Sequence, residues 1–205
     1  MSVVCPIPAA ATAPSFRRAL DRDLLEGLVR DHLGDGKTPV RLQPDYVRWK
    51  DQHGSIVGWH AQVGDGEPSY VTVRTAPADR LADEAKKLEH RADEETDVWA
   101  RSLALLPEPE LLLVGFPLDR QMPDLRRLVR ASKVRSVVLG YRNDLVPESL
   151  RISKSRSKRH IVRYKPERRA VLRWDLGFKG ADAQAADIDR TIWFRLLAEP
   201  LPART

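Results

Sequence analysis

The chain has 205 residues, 42% hydrophobic and 31% charged, a balance ordinary for a globular protein of one large or two small domains. No apolar run approaches the roughly eighteen residues needed to span a bilayer, so no membrane partner is expected. Cys5 is the only cysteine, which excludes an intrachain disulfide and a thiolate metal cluster and makes cytoplasmic residence the default expectation. The net charge of +6 is unevenly divided. Residues 1–120 carry fifteen Lys/Arg against twenty Asp/Glu, a net −5, and residues 121–205 carry twenty against nine, a net +11. An acidic first part joined to a basic second part implies two units, with contact to a polyanion expected in the second.

Residues 1–15 lack a basic n-region and are broken by Pro6, Pro8 and Pro14, so they read as a flexible tail and not as a secretory signal. From Ser15 to Leu33 the apolar positions Leu20, Leu24, Leu25, Leu28, Val29 and Leu33 recur at helical spacing, and Gly34 stops the helix. Short strand patterns follow at Pro39–Leu42, Tyr46–Trp49, Ser55–Val63 and Ser69–Thr75, the last two separated by the turn Gly64-Asp65-Gly66. Pro77 opens a helix to Arg91 with Leu81, Ala85 and Leu88 on one face. Two more strands are expected at Val98–Leu105 and Leu111–Phe116, then a basic helix from Pro123. Residues 131–158, with Pro147 and the basic Ser-rich run Ser153–Arg159, read as a linker. Strand patterns return at Ile161–Tyr164, Ala170–Leu176 and Thr191–Leu197.

A strand-hairpin pattern occurs twice. Residues 47–59 (VRWKDQHGSIVGW) align without a gap on 162–174 (VRYKPERRAVLRW) at an offset of 115. Valine, arginine, lysine and the closing tryptophan are identical, and most other positions are physically similar. Tyr70–Arg74 then aligns on Thr191–Arg195 at an offset of 121, which puts a six-residue insertion in the second hairpin's far loop. Period-2 alternation points Ile161, Arg163 and Lys165 one way and Val162 and Tyr164 the other. Lys165-Pro-Glu-Arg168 has proline where a β-turn favours it. The hairpin tip would then gather Lys165, Arg168 and Arg169 into a phosphate clamp, with Arg195 on the adjoining strand, because guanidinium groups take phosphate oxygens in pairs.

The run Arg163–Arg173 followed by an apolar strand with a central basic residue resembles the start of the nucleotide-binding lobe of aminoglycoside-phosphotransferase-like kinases. Residues 37–116 resemble the whole order of that lobe: three strands, a helix, two strands. Phe116-Pro-Leu-Asp119 falls where such kinases pass toward the hinge. The resemblance implies that Arg74 and Arg195 stand where the family has its phosphate-binding strand lysine. It also implies a helix carboxylate partner, Glu84 or Glu89, so that Arg74 and Glu84 would be a vestigial pair. Arginine in place of lysine departs from the family pattern.

Phosphoryl transfer requires a catalytic Asp, a metal-binding Asn and a further metal-binding Asp. The only asparagine is Asn143, and no His-x-Asp-x4-Asn pattern occurs, so no catalytic residue is assigned. Gly34-Asp-Gly-Lys37-Thr38 is not a P-loop, since Asp31 stands where the motif needs its first glycine. The five histidines show no metal-ligand spacing, so no metal site is expected, and the tryptophans read as core. The expected fold is α+β: a kinase-lobe-like antiparallel sheet with helices at 16–130, then a second, partial copy at 159–205. The expected function is the N-terminal portion of an ATP-dependent small-molecule phosphotransferase, inactive by itself. Its second module would begin the nucleotide lobe, its first would act as a cap, and ATP with Mg2+ would serve only alongside a catalytic lobe. The competing class is a binding protein whose basic half contacts nucleic acid or an acidic protein surface.

Overall fold

A computed structural model describes residues 14–50, 54–92, 96, 98–141, 150–180 and 188–198. Cys5, Asn143 and almost all of the expected tail lie outside the described residues. The described chain is mixed α and β with antiparallel sheets, and it divides into two compact units, Met1–Leu118 and Asp119–Thr205.

The first unit opens with two helices, α1 (Pro14–Leu20) and α2 (Arg22–His32), where the periodicity predicts one. Asp21 separates them. It adopts an extended conformation, and its carboxylate accepts the Leu24 amide at 3.1 Å, an N-cap that starts a new helix. A five-stranded sheet follows, from β1 (Val40–Lys50), β2 (Gly54–Val63), β3 (Ser69–Thr75), β4 (Leu103–Leu106) and β5 (Leu111–Gly115), in the order β1-β2-β3-β5-β4. The two strands expected at 39–49 are one strand, bulged at Asp45 between Pro44 and Tyr46. The strand expected from Val98 starts only at Leu103. Helix α3 (Ala78–Ala92) connects β3 to β4.

Strand alternation sends neighbouring residues to opposite faces and so gives this sheet two cores. Val71, Val73, Leu111 and Leu113 join Leu25 and Val29 of α2 and Leu33 at its C-cap on one side. Leu112 and Val114 meet Leu81, Ala85 and Leu88 of α3 on the other. Trp59 is 2% exposed in the first core, and its indole N–H donates to the Ala19 carbonyl at 3.2 Å.

The second unit also opens with a helix pair, α4 (Leu125–Leu128) and α5 (Ala131–Tyr141), and continues into a three-stranded sheet ordered β6 (Leu150–Lys165), β7 (Arg169–Gly180), β8 (Ile188–Leu197). The linker expected at 131–158 is therefore corrected: α5 and half of β6 occupy it. The Ser-rich run stays in the strand by looping out between Ser153 and Lys158. Ser157 Oγ donates to the Ser153 carbonyl at 2.7 Å and accepts the Gly177 amide at 3.2 Å. Glycine is needed opposite, because a Cβ at 177 would lie 2.4 Å from Arg156 Cβ. Val134 and Val138 of α5 close the core over Trp174, Leu176 and Phe178, and the Trp174 indole donates to the Leu128 carbonyl at 2.7 Å.

Strand registers within the two units can be compared pair by pair. Pro44↔Trp59, Arg48↔Ile56, Trp49↔Ser55 and Lys50↔Gly54 in the first correspond, 115 residues on, to Arg159↔Trp174, Arg163↔Val171, Tyr164↔Ala170 and Lys165↔Arg169 in the second. Ile56↔Arg74, Val57↔Val73 and Trp59↔Val71 correspond to Val171↔Arg195, Leu172↔Phe194 and Trp174↔Ile192, with the third strand offset by 121. β1 is bulged at Asp45, and β6 is bulged at Val162 in addition to its loop-out between Ser153 and Lys158. The bulge at Val162 corrects the simple alternation expected there. Ile161 pairs with Leu172 on the core side, and Val162 is 49% exposed.

Candidate functional site

In the first unit the structure brings Arg74 and Glu84 together. Arg74 lies on β3, on the side of the sheet that faces α3, and its guanidinium is ion-paired with the Glu84 carboxylate. Arg74 is 5% exposed, and Glu84 sits near the middle of α3, on the helix face that carries Leu81, Ala85 and Leu88. Glu89, the other sequence candidate, is exposed on the same helix. Arg48 of β1 lies on the same transverse row, Arg48–Ile56–Arg74. Gly54 lets β2 start against the end of β3. Its φ is +85° and a Cβ there would lie 1.6 Å from the Thr75 carbonyl oxygen, so only glycine fits. Ser55 and Thr75 hydroxyls are 2.7 Å apart beside it.

The Gly34–Thr38 loop is unsuited to phosphate, as its sequence implies. The Asp35 carboxylate occupies the loop's own donors, accepting the amides of Lys37 and Thr38 at 2.8 and 2.7 Å and the Thr38 hydroxyl at 2.8 Å. These bonds, those from Thr38 and Lys37 foremost, hold its pKa down at about 2.

In the second unit the expected turn at the β6–β7 tip forms, with the Arg168 amide donating to the Lys165 carbonyl at 3.0 Å. Glu167 takes a left-handed conformation, φ +54°, as the third position of a Pro-led type II turn requires. Sequence reasoning missed what secures it. Asp119 is 4% exposed, and its Oδ2 accepts the Tyr164 hydroxyl at 2.8 Å and the Glu167 amide at 2.9 Å. Its Oδ1 accepts the amides of Gln121 and Met122 at 2.8 and 3.0 Å. Arg120 adds an ion pair to the Glu167 carboxylate at 3.3 Å. Burial of Asp119 outweighs these donors and raises its pKa above the ordinary carboxylate value. Pro166 and Glu167 are buried, so the tip is an anchored corner. Nothing in the composition of Phe116-Pro-Leu-Asp marks Asp119 as the anchor, because Tyr164 and Glu167, the partners that tie it to the hairpin, lie more than forty residues away.

The four predicted phosphate-binding residues are distributed accordingly. Lys165, Arg169 and Arg195 lie on the face of the β6–β7–β8 sheet away from Trp174, and exposed Arg168 lies in the turn. That face is built from transverse rows: Lys158–Asp175–Thr191, His160–Arg173–Trp193, Arg163–Val171–Arg195 and Lys165–Arg169–Leu197. These four rows hold six Lys/Arg and one carboxylate, and the next row, Gly177–Asp189, adds a second carboxylate, paired with Arg156 at 2.8 Å. Asp175 is engaged by His160 and Arg173, each at 3.1 Å, and by the Thr191 hydroxyl at 2.9 Å. The Thr191 hydrogen bond, first among these, lowers its pKa. Trp193 departs from the expectation that the tryptophans are core: it is 58% exposed, with the Arg173 guanidinium 6.0 Å from its ring centroid. The signal was available, since Trp193 shares parity with Thr191 and Arg195.

Among the described residues no group of three or more His, Cys, Asp or Glu is placed to hold a metal ion, and no helix is long and apolar enough to cross a membrane. Comparison of the chain with protein-family models, curated proteins and solved structures finds no match.

Proposed function

We propose that the chain is the nucleotide-lobe portion of a phosphotransferase of aminoglycoside-phosphotransferase type, inactive by itself, built from two copies of one helix-pair-and-hairpin module. The observation that carries this reading is the Arg74–Glu84 ion pair between β3 and α3. In a nucleotide lobe such a pair holds a strand cation in place for the nucleotide's phosphates. Two further observations support it. The first unit runs strand, strand, strand, helix, strand, strand. In the second, β6, β7 and β8 pair in the same order as β1, β2 and β3, and Arg195 of β8 lies opposite Val171 of β7 as Arg74 of β3 lies opposite Ile56 of β2.

The ion pair sits on the first unit, which makes that unit, in this reading, a nucleotide lobe in its own right and not a cap for the second. The chemistry open to it is positioning. Arg74 supplies a fixed guanidinium and Glu84 fixes its orientation, while the Asp and Asn that would hold Mg2+ and accept a proton have no counterpart among the described residues. Titration with MgATP, followed by calorimetry, tests the proposal. Saturable binding with Kd on the order of a millimolar, about −4 kcal/mol, is expected, together with no phosphate transfer to any acceptor. Heat flow no different from that of buffer at ten times that concentration would refute it.

A further inference from the structure

We infer that the outer face of the β6–β7–β8 sheet binds single-stranded nucleic acid, with Trp193 as a base-stacking platform and Arg163, Arg195, Lys165 and Arg169 as phosphate ligands. This goes beyond the nucleotide-lobe reading, concerns the second unit alone, and does not depend on it.

A strand residue facing solvent is normally small, β-branched or polar, because an uncovered indole leaves much apolar surface in water. Trp193 is 58% exposed although β8 has a core side, which Ile192 and Phe194 take. Its neighbours on the same side are cationic. Arg173 is its cross-strand partner and lies 6.0 Å over the ring, while Arg195 follows two positions along β8. One row further, Arg163 and Arg195 are both exposed and flank Val171. Leu197, 60% exposed, extends the apolar surface toward the turn. The face thus alternates stacking surface with charge over a sheet whose strands are about 4.8 Å apart. That combination fits an unpaired strand, whose bases offer faces to stack and whose phosphates offer charge. A duplex keeps its base faces hidden and could use only the cations. In the first unit the position corresponding to Trp193, at the offset of 121, is Thr72, a small residue 4% exposed, so the stacking surface belongs to the second unit.

The test is fluorescence anisotropy of a labelled twelve-nucleotide oligothymidine and oligouridine, with a duplex of equal length and an acidic amphipathic peptide as comparison probes. Variants are Trp193→Ala, Trp193→Phe and the pair Arg163→Glu/Arg195→Glu, each checked for native circular dichroism. All three positions are exposed or on the solvent side of β8, so the fold should tolerate them. Expected are binding of the single strands, a 5- to 150-fold weakening by Trp193→Ala, and largely retained affinity in Trp193→Phe. A log–log salt slope near about −2.8 should accompany contact with about four phosphates, at roughly −0.7 per phosphate on a single strand. No binding at low salt, equal affinity of Trp193→Ala and the unaltered protein, or tighter binding of the duplex or the acidic peptide would each overturn the inference.

Discussion

Truncating Asp119 should cost the second unit more stability than any other single carboxylate removal, and the structure sets the scale. Its two oxygens accept four donors, the amides of Gln121, Met122 and Glu167 and the hydroxyl of Tyr164. Hydrogen bonds to a charged acceptor contribute about 1.5–3 kcal/mol each, so the gross loss in Asp119→Ala is about 6–12 kcal/mol. Against this stands the burial of the charge, a penalty of several kcal/mol that the variant no longer bears. The raised pKa of Asp119 says that burial is the larger influence on its proton equilibrium, so the two contributions oppose each other. Removing one partner of a buried charged network costs about 3–5 kcal/mol net, and about 3 kcal/mol is expected here. The loss should appear in urea unfolding as a lower midpoint with unchanged slope. Tyr164→Phe should cost about 1.5 kcal/mol by itself, and the double variant less than the sum, since both remove the same bond. The sign with pH follows from linkage. A carboxyl whose folded pKa is raised binds more protons folded than unfolded between the two values, so its contribution to stability declines as pH rises through that window. Asp119→Asn should lack that component. A loss below 1 kcal/mol in Asp119→Ala, or strict additivity with Tyr164→Phe, would refute the view of Asp119 as the anchor of the hairpin.

Gly54→Ala should lower stability by more than about 3 kcal/mol, because it combines a positive φ with an impossible approach to the Thr75 carbonyl; a thermal melt checks it. Arg74→Ala should cost about 3 kcal/mol by leaving Glu84 beside a buried gap, and Arg74→Lys about 1 kcal/mol, measured by the same urea titration. Asp35, with a folded pKa of about 2 against an ordinary 3.8, contributes stability that is complete above pH 4 and disappears as pH falls toward 2; Asp35→Ala should flatten that part of the acid-unfolding profile.

The elements most legible in the sequence are those whose patterns are local. β3 falls where expected, and Leu81, Ala85 and Leu88 face the core from α3 as their spacing implies. The Arg74–Glu84 pairing was reachable through a resemblance, because a strand cation and a helix carboxylate ten residues apart need only the intervening turn to meet. Residues 131–158 were misread since Ser, Lys and Arg are weak strand formers. Residues 150–158 are held as strand by pairing with β7, a contact no local window contains. Asp119 is likewise defined by distant partners, and Trp193 has the size and apolarity of a core residue while its parity with Arg195 places it on the outer face. Helix α5 has mixed composition, and the basic run after it dominated the reading of the whole segment.

The bulge at Val162 has an evolutionary consequence. In a regular strand, losing one residue exchanges the two faces on one side of the gap, and the core side chains there turn to water. β6 already contains a residue that its partner strand does not count, with Ile161 and Tyr164 both inward though three positions apart. A codon deleted at Val162 leaves them two apart in an unbulged strand and still inward, with Arg163 still outward. β1 has the same latitude at Asp45. Length variation among descendants of this sequence should therefore collect at these two positions and in the Ser153–Lys158 loop-out, and a deletion scan of β6 should show a tolerant notch around residue 162 with lethal neighbours at 161 and 164.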